Sequence, residues 1–262
     1  MYQKCFIFCP RTAKIFCMRN IVLTISYLGT AYSGFQKQKN GISVQEILEK
    51  AIFDATGEMA KVTPSGRTDA GVHALGQVVN FLTNSTIPAS KFYIPLNQLL
   101  PQDIRVMDSR EALLSFNARK DAKQKTYVYR VYLGPVLSAL EQDRVLHFPK
   151  KINISLIHSA CKLVEGEHDF SAFVSTGSSS KTTTRTIYKC SAVLKDNYLT
   201  FEITGNGFLY NMVRILVGTI LEIGQGKRSL DTFQILLDGG ERKDAGKTAK
   251  ACGLYLKNVV YK

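Results

Sequence analysis

"SVQEILEKAIFDATG" (Ser43–Gly57) is the stretch on which the fold turns. Ser43 and Glu46 have capping-box spacing, in which each side chain satisfies a backbone donor at the start of a helix. Val44, Ile47, Leu48, Ala51 and Ile52 then recur at the i, i+3, i+4 interval that gathers apolar groups on one helical face. Gly57 ends the run. On both sides the pattern is extended. "IVLTISYLG" (21–29) is β-branched, apolar and closed by Gly29, "AKVTPSG" (60–66) is a short strand, and "GQVVNFLT" (76–83) is another. "ASKFYIPLNQLLP" (89–101) predicts a helix ended by Pro101, and "DIRVMDSREA" (103–112) a further strand. The order β-α-β-β-α-β suits a ferredoxin-like unit, an antiparallel sheet with two helices on one face.

From about Asn117 a second unit begins. "KTYVYRVYLG" (125–134) is a strand, and "NISLIHSACKLVEG" (153–166) a helix capped by Asn153 or Ser155. "SAFVSTGSSSKTTTRTI" (171–187) is Ser/Thr-rich and reads as mostly loop. "YKCSAVLKD" and "YLTFEITGN" form a hairpin turning on "KDN" (195–197). "FLYNMVRILVGTILEIGQG" (208–226) predicts a helix, a short helix follows near 229–238, and "GLYLKNVVY" (253–261) closes with a strand. The fold class expected is α+β: two ferredoxin-like subdomains, residues 18–116 and 117–262, with mainly antiparallel sheets side by side and an active-site cleft between them. Residues 1–17 read as a leader, with Met18 a candidate true start. The apolar piece "CFIFCP" is too short, and too soon followed by Arg11 and Lys14, for a secretion signal.

The 262 residues carry a net charge of +13. Lys4, Arg11, Lys14 and Arg19 account for four of these in the first 20 residues, so +9 remains in the rest. Such an excess points to a polyanionic partner, because each cation placed on a phosphate releases a counterion. No apolar run reaches the roughly 18 residues needed to span a bilayer, so no membrane partner is expected. The six cysteines (Cys5, Cys9, Cys17, Cys161, Cys190 and Cys252) and the four histidines are scattered, without zinc-ligand spacing. The reading is reduced thiols, a cytoplasmic protein and no metal.

Three segments could carry chemistry. In "GRTDAGVHA" (66–74), Gly66 and Gly71 bracket Arg67, Asp69 and His73 on a loop held between strands. A guanidinium beside Asp69 would favour its ionised form, and an oriented carboxylate serves as nucleophile or base. The plainer alternative is an Asx-type turn in which Asp69 satisfies its own backbone. No GxxxxGK[ST], GxGxxG or GxSxG motif is present, so nucleotide hydrolysis, dinucleotide binding and serine hydrolysis lack support. In "ARKDAKQKTYVYRVY" (118–132), Arg119, Lys120, Lys123, Lys125 and Arg130 alternate with Tyr127, Tyr129 and Tyr132. Cations for phosphates beside rings for stacking suit RNA, although an aromatic edge strand would look similar. In "FLYNMVRILVG" (208–218), Arg214 sits in an apolar helix. It must find a partner such as Asp69 or snorkel to water, and the helix alone favours snorkelling.

Together these segments resemble the tRNA pseudouridine synthase A family, which isomerises uridines in the anticodon arm of tRNA. "GRTDAGVHA" matches its catalytic motif; "SVQ" (43–45), "Y..R" at Tyr127 and Arg130, "MVR..VG" (212–218) and "GLYL" (253–256) follow in the same order. The matches span about residues 21 to 260. The resemblance implies Asp69 as the catalytic group that starts cleavage of the C1′–N1 glycosidic bond. It also implies Tyr127, Arg67, Arg214 and Leu254 as substrate-binding residues: Tyr127 against the extruded uracil, Arg214 paired with Asp69, Arg67 holding the nucleotide out of its stack, and Leu254 against the base. It implies uridines at tRNA positions 38, 39 and 40, no cofactor, and a homodimer. Lys125, Lys181 and Arg185 are candidates to grip the RNA backbone. Leu28 and Phe35 replace the family's usual Asp and Trp, and "KAC" precedes "GLYL" in place of Ala-Pro, which touches RNA-contact details. A non-catalytic RNA binder on the same scaffold, or a small-molecule hydrolase using Asp69, are the competing readings.

Overall fold

The Ser43 hydroxyl accepts the Glu46 amide at 3.2 Å and starts helix α1 (Val44–Thr56), while Gly57 closes it at φ +74°. Val44, Leu48, Ala51 and Ile52 face inward, as their spacing requires. The computed structural model describes residues 18–39, 41–178 and 180–261, so the expected leader over 1–17 lies outside the described residues.

The strands of the first half are β1 (Arg19–Tyr27), β2 (Thr63–Pro64), β3 (His73–Thr83) and β4 (Ile104–Ala112), with helix α2 (Tyr93–Leu99) before β4. Those of the second are β5 (Gln124–Tyr132), β6 (Leu146–His147), β7 (Gly166–Asp169), β8 (Thr184–Lys195), β9 (Tyr198–Gly205) and β10 (Leu254–Val260). Helix α3 (Ile154–Val164) is capped by Asn153, whose side chain accepts from the Ser155 and Leu156 amides. Helices α4 (Met212–Gly224) and α5 (Leu230–Leu237) precede β10.

Among the described residues the main path through the sheet runs β4-β1-β3-β10-β5-β9-β8-β7. Each half has the same internal order. The fourth strand flanks the first, the first flanks the third, and the third meets the second: β4-β1-β3-β2 and β10-β5-β9-β8. The expected pair of sheets is therefore one continuous sheet. Its seam is the parallel pairing of β10 with β3, Tyr255 opposite His73 and Leu256 opposite Ala74. All other pairings except β5 with β6 are antiparallel. Strand β2 pairs with β3 only at Asn80 and Val79. The chain then leaves the sheet at Ser65 and rejoins it at His73, so the intervening loop stands over the seam. One large core holds Ile21, Leu23 and Ile25 of β1, Leu48 of α1, Tyr129 of β5 and Ile215 of α4. The helices of both halves thus cover the same sheet face.

Two readings overran. Helix α4 begins at Met212, not Phe208, because Asn211 holds a left-handed backbone at φ +61° that ends helical continuity. The Ser/Thr-rich loop is strand from Thr184, where β8 pairs with β7. The "KDN" hairpin turn has Asp196 and Asn197 at φ +48° and +65°, the geometry of a tight two-residue turn.

His73 is fully buried at the seam. Its Nδ1 accepts the Gly29 amide at 2.9 Å, so the ring proton sits on Nε2 and points at the carbonyls of Asp143 (3.0 Å) and Cys252 (3.2 Å). The ring stacks on Tyr255 at 4.7 Å. It is a rivet between the halves, turned away from the cleft. Burial holds its pKa below the ordinary 6.5. A depressed histidine adds stability that is complete above about pH 6.5 and is lost as pH falls. The denaturation midpoint is expected to drop below that pH, and His73→Asn should flatten the slope, which is at most about 1.4 kcal/mol per pH unit for one proton. An equal slope in both proteins would assign the acid sensitivity elsewhere.

Candidate active site

The loop over the seam is tied down on both sides of its aspartate. The Gln77 side-chain amide donates to the Gly66 carbonyl at 2.8 Å and accepts from the Ser65 hydroxyl. The Thr68 hydroxyl meets the Tyr27 hydroxyl at 2.8 Å, and the Thr68 carbonyl accepts the Phe35 amide at 3.1 Å. The Asp69 carbonyl accepts the Val72 amide at 3.1 Å, and Gly71 turns the chain at φ +76°. A Cβ on Gly29 would stand 2.0 Å from the Val72 carbonyl oxygen, so only glycine lets β1's end pass this loop. The described hydrogen bonds give the Asp69 carboxylate no backbone amide, contrary to an Asx turn. It faces Arg214, Nη1 to Oδ2 at 3.6 Å.

Arg214 does not snorkel. Its side chain is 17% exposed, its Nε donates to the Ala249 carbonyl at 2.8 Å, and its Nη1 to the Asn211 Oδ1 at 2.7 Å. Asn211 in turn donates to the Ser175 hydroxyl at 2.9 Å. Its left-handed backbone lets the residue that begins α4 reach back to a side chain one turn in.

Burial pushes the Asp69 carboxyl above the ordinary 3.8, and Arg214 pulls it back only in part. The guanidinium favours the ionised form, as expected, but burial acts against it and is the larger effect.

Asp69 lies in a cleft of about 510 Å³, within the roughly 300–1,000 Å³ of small-ligand sites. Among the described residues lining it, Asp69 is the single carboxylate, and the cations are Lys37, Arg67, Arg119 and Lys125. Tyr127 and Leu254 line it too, from the adjacent central strands β5 and β10. Tyr127 is 8% exposed and packs edge-on to Phe208 at 5.0 Å. Burial raises its hydroxyl pKa, helped by the nearby Tyr27 and Asp69. Arg67 is exposed and, among the described residues, has no ion-pair partner. Arg185 bonds the carbonyls of Thr182 and Thr184 at 3.1 and 2.5 Å. Lys181 is exposed and outside the cleft lining. Arg130, read with the basic and aromatic strand, belongs to the other sheet face, beside Glu141 at 3.4 Å and over the Tyr198 ring at 5.6 Å.

A family model described as tRNA pseudouridine synthase matches residues 23–119 and 160–262, the segments that supply Asp69 and Arg214. The chain belongs to the tRNA pseudouridine synthase family. It is similar to tRNA pseudouridine synthase A of Acetivibrio thermocellus, 48% identical over 93% of this chain and 100% of that one. The corresponding proteins of Caldicellulosiruptor saccharolyticus and Clostridium acetobutylicum are 46% and 44% identical, again over 93% of this chain and 100% of theirs. Pseudouridine synthases are isomerases, and the chain is an enzyme of that class.

For a pseudouridine synthase the cleft holds more than the sequence alone suggested. Asn211, Gln77, Phe208 and Tyr210 were not singled out. The first two orient Arg214 and the loop; the others bring rings to the cleft, Tyr210 at 45% exposure. Only Asn211 left a trace in the sequence, an Asn directly before an apolar helical run, where left-handed backbone is tolerated. Among the described residues no group of three His, Cys, Asp or Glu could hold a metal ion, and no helix is long and apolar enough to cross a membrane.

Proposed function

We propose that this enzyme converts uridine to pseudouridine in the anticodon arm of tRNA, at positions 38, 39 and 40, with Asp69 as the catalytic carboxylate. The observation that carries this reading is a lone carboxylate, set against Arg214, in a cleft whose other charged lining residues are all cations. The cations suit a phosphate backbone. The carboxylate suits attack at, or proton removal from, the sugar of a nucleotide extruded from its stack, an extrusion that costs a few kcal/mol and needs an enclosing pocket. The N1–C1′ bond breaks, the freed uracil turns, C5 bonds to C1′, the C5 proton leaves to solvent, and N1 takes up a proton in its place. Product and substrate share one formula, so the reaction consumes no external reagent and the reading includes no cofactor.

In this reading Tyr127 packs on the uracil, Leu254 supports the base, Arg67 holds the nucleotide outside its helix, and Arg214 orients Asp69. Lys125, Lys181 and Arg185 contact the RNA backbone. The division into 18–116 and 117–262 puts Asp69 on one half and Tyr127 and Arg214 on the other, so the cleft lies between them. The enzyme acts in the cytoplasm as a homodimer.

Unmodified tRNA carrying tritium at uridine C5 tests the reading. Tritium release to water is expected from the intact enzyme and not from Asp69→Asn. Tight binding of the tRNA with no release would instead indicate an RNA-binding protein.

A further inference from the structure

Lys125 sits where the two halves touch. It belongs to β5 of the second half, yet its Nζ donates to the Ser65 carbonyl at 2.8 Å, at the root of the Asp69 loop. A Cβ on Gly66 would lie 3.1 Å from that nitrogen, so the amine packs closely on the loop backbone. One N–H is used by Ser65. An ammonium has three, and the residue lines the cleft, which leaves two for whatever occupies it. Arg119, in the turn before β5, lines the same cleft. Arg185 on β8 comes close enough for its charge, with that of Arg119, to act on Lys125. The close backbone of Gly207, whose Cβ would lie 3.5 Å from Arg185 Nε, flanks that guanidinium. Among the described residues none of these three cations has a carboxylate partner at ion-pair distance. The other charged or titratable groups nearby are Arg67 and Asp69 of the loop, Tyr127 of β5, and Tyr261, whose hydroxyl is bonded to the Ala118 carbonyl. Asp121 is occupied by the Asn117 amide.

Arg119 and Lys125 line the cleft, Arg185 lies near Lys125 with its Nη1 on the Thr182 and Thr184 carbonyls, and the three like charges repel one another until an anion arrives. We propose that Arg119, Lys125 and Arg185 form a binding site for one phosphate group of the RNA backbone, and that Lys125 ties this phosphate to the position of the Asp69 loop. The site rests on the RNA-modifying reading above and gives it a specific anchor. Because Lys125 bridges the phosphate and Ser65, an RNA that seats its backbone correctly also fixes the loop, and one that does not leaves the loop's root held by a single hydrogen bond.

The amine's environment supplies the test. Burial, reinforced by Arg119 and Arg185, lowers the Lys125 pKa to about 8. A bound phosphate favours the charged form and raises it again. RNA affinity should therefore fall as pH rises through about 8, the point at which free Lys125 loses its proton. Binding of an unmodified tRNA transcript is measured by fluorescence anisotropy with the Asp69→Asn protein, so that no turnover intervenes, across pH and salt. The alkaline fall is expected in that protein and absent when Lys125→Met or Lys125→Arg is added. Lys125→Met should also flatten the plot of log affinity against log salt by about 0.7 to 0.9, the value of one phosphate contact, while Lys125→Arg keeps the slope. Since arginine stays charged across this range, its variant guards against a mere folding defect in Lys125→Met. Identical pH and salt dependence in all three proteins, with binding intact, would overturn the phosphate site alone. Failure of the transcript to bind at any pH would overturn the RNA reading together with it.

Discussion

Asp69→Asn is expected to reduce pseudouridine formation by at least about 10²–10⁴-fold, the contribution of a positioned acid or base, without loosening the fold. Asparagine fills the same volume and keeps a carbonyl oxygen toward Arg214, but it can neither attack a sugar carbon nor accept a proton from one. The stability effect has the opposite sign to the activity effect. Burial raises the native carboxyl above its ordinary 3.8, so between that value and its folded value the native state holds the proton that the unfolded state has released. Stability then falls as pH rises through that window. An uncharged side chain escapes this cost, and Asp69→Asn should melt at or above the temperature of the parent at neutral pH, the trade-off common to catalytic groups. The same shift gives kcat/KM an acid limb above 3.8, and Arg214→Met, which removes the one opposing charge, moves that limb to higher pH. Turnover by Asp69→Asn within tenfold of the parent, checked by tritium release, would remove this residue from the chemistry.

The second large effect is predicted at a residue that touches no substrate. A Cβ on Gly218, in the middle of α4, would stand 1.8 Å from the Lys247 carbonyl oxygen and 3.4 Å from the Ala249 amide nitrogen. The chain at 247–249 therefore lies directly on the helix. That contact serves Arg214. The Ala249 carbonyl accepts its Nε, and the Ala249 amide bonds the Arg214 carbonyl at 3.1 Å. Gly218→Val must push this segment away, costing about 3 kcal/mol, the upper part of the range for overpacking. It also withdraws a tether of the guanidinium that faces Asp69. Chemical denaturation should show the stability loss, and activity measured where the variant is still folded should be reduced in kcat more than in KM. A variant within about 0.5 kcal/mol of the parent, as an ordinary surface change would be, would show that the close approach is not required.

What the sequence could disclose was local. The Ser43 cap, the Gly57 stop and the Asp196–Asn197 turn are each decided by a few adjacent residues, and each was legible. Composition misled where pairing outweighs it. Thr184, Thr186 and Ile187 belong to a Ser/Thr-rich run, yet they form strand because the four residues of β7 lie opposite. His73 to Leu75 hid inside the motif for a similar reason, since β1 and β10 supply their partners from far along the chain. The fate of Arg214 was beyond reach of its helix alone. Its acceptors lie three residues away at Asn211 and 35 away at Ala249, and its ion-pair partner is Asp69, far back in the chain. The motif order suggested a meeting of Asp69 and Arg214, but the sign of the carboxyl's pKa shift required its burial.

The seam has a consequence for how the molecule comes into being. Strand β10 lies between β3 and β5, so the middle of the sheet is supplied by the last described strand to leave the ribosome. Until it arrives, β3 and β5 each present an unpaired edge, a template for faulty association. Pairing across so long a stretch of chain is slow to find, and the nascent enzyme stays open at its centre until β10 has been made. The Asp69 loop, lying above that gap, cannot be assembled before β10 has been made.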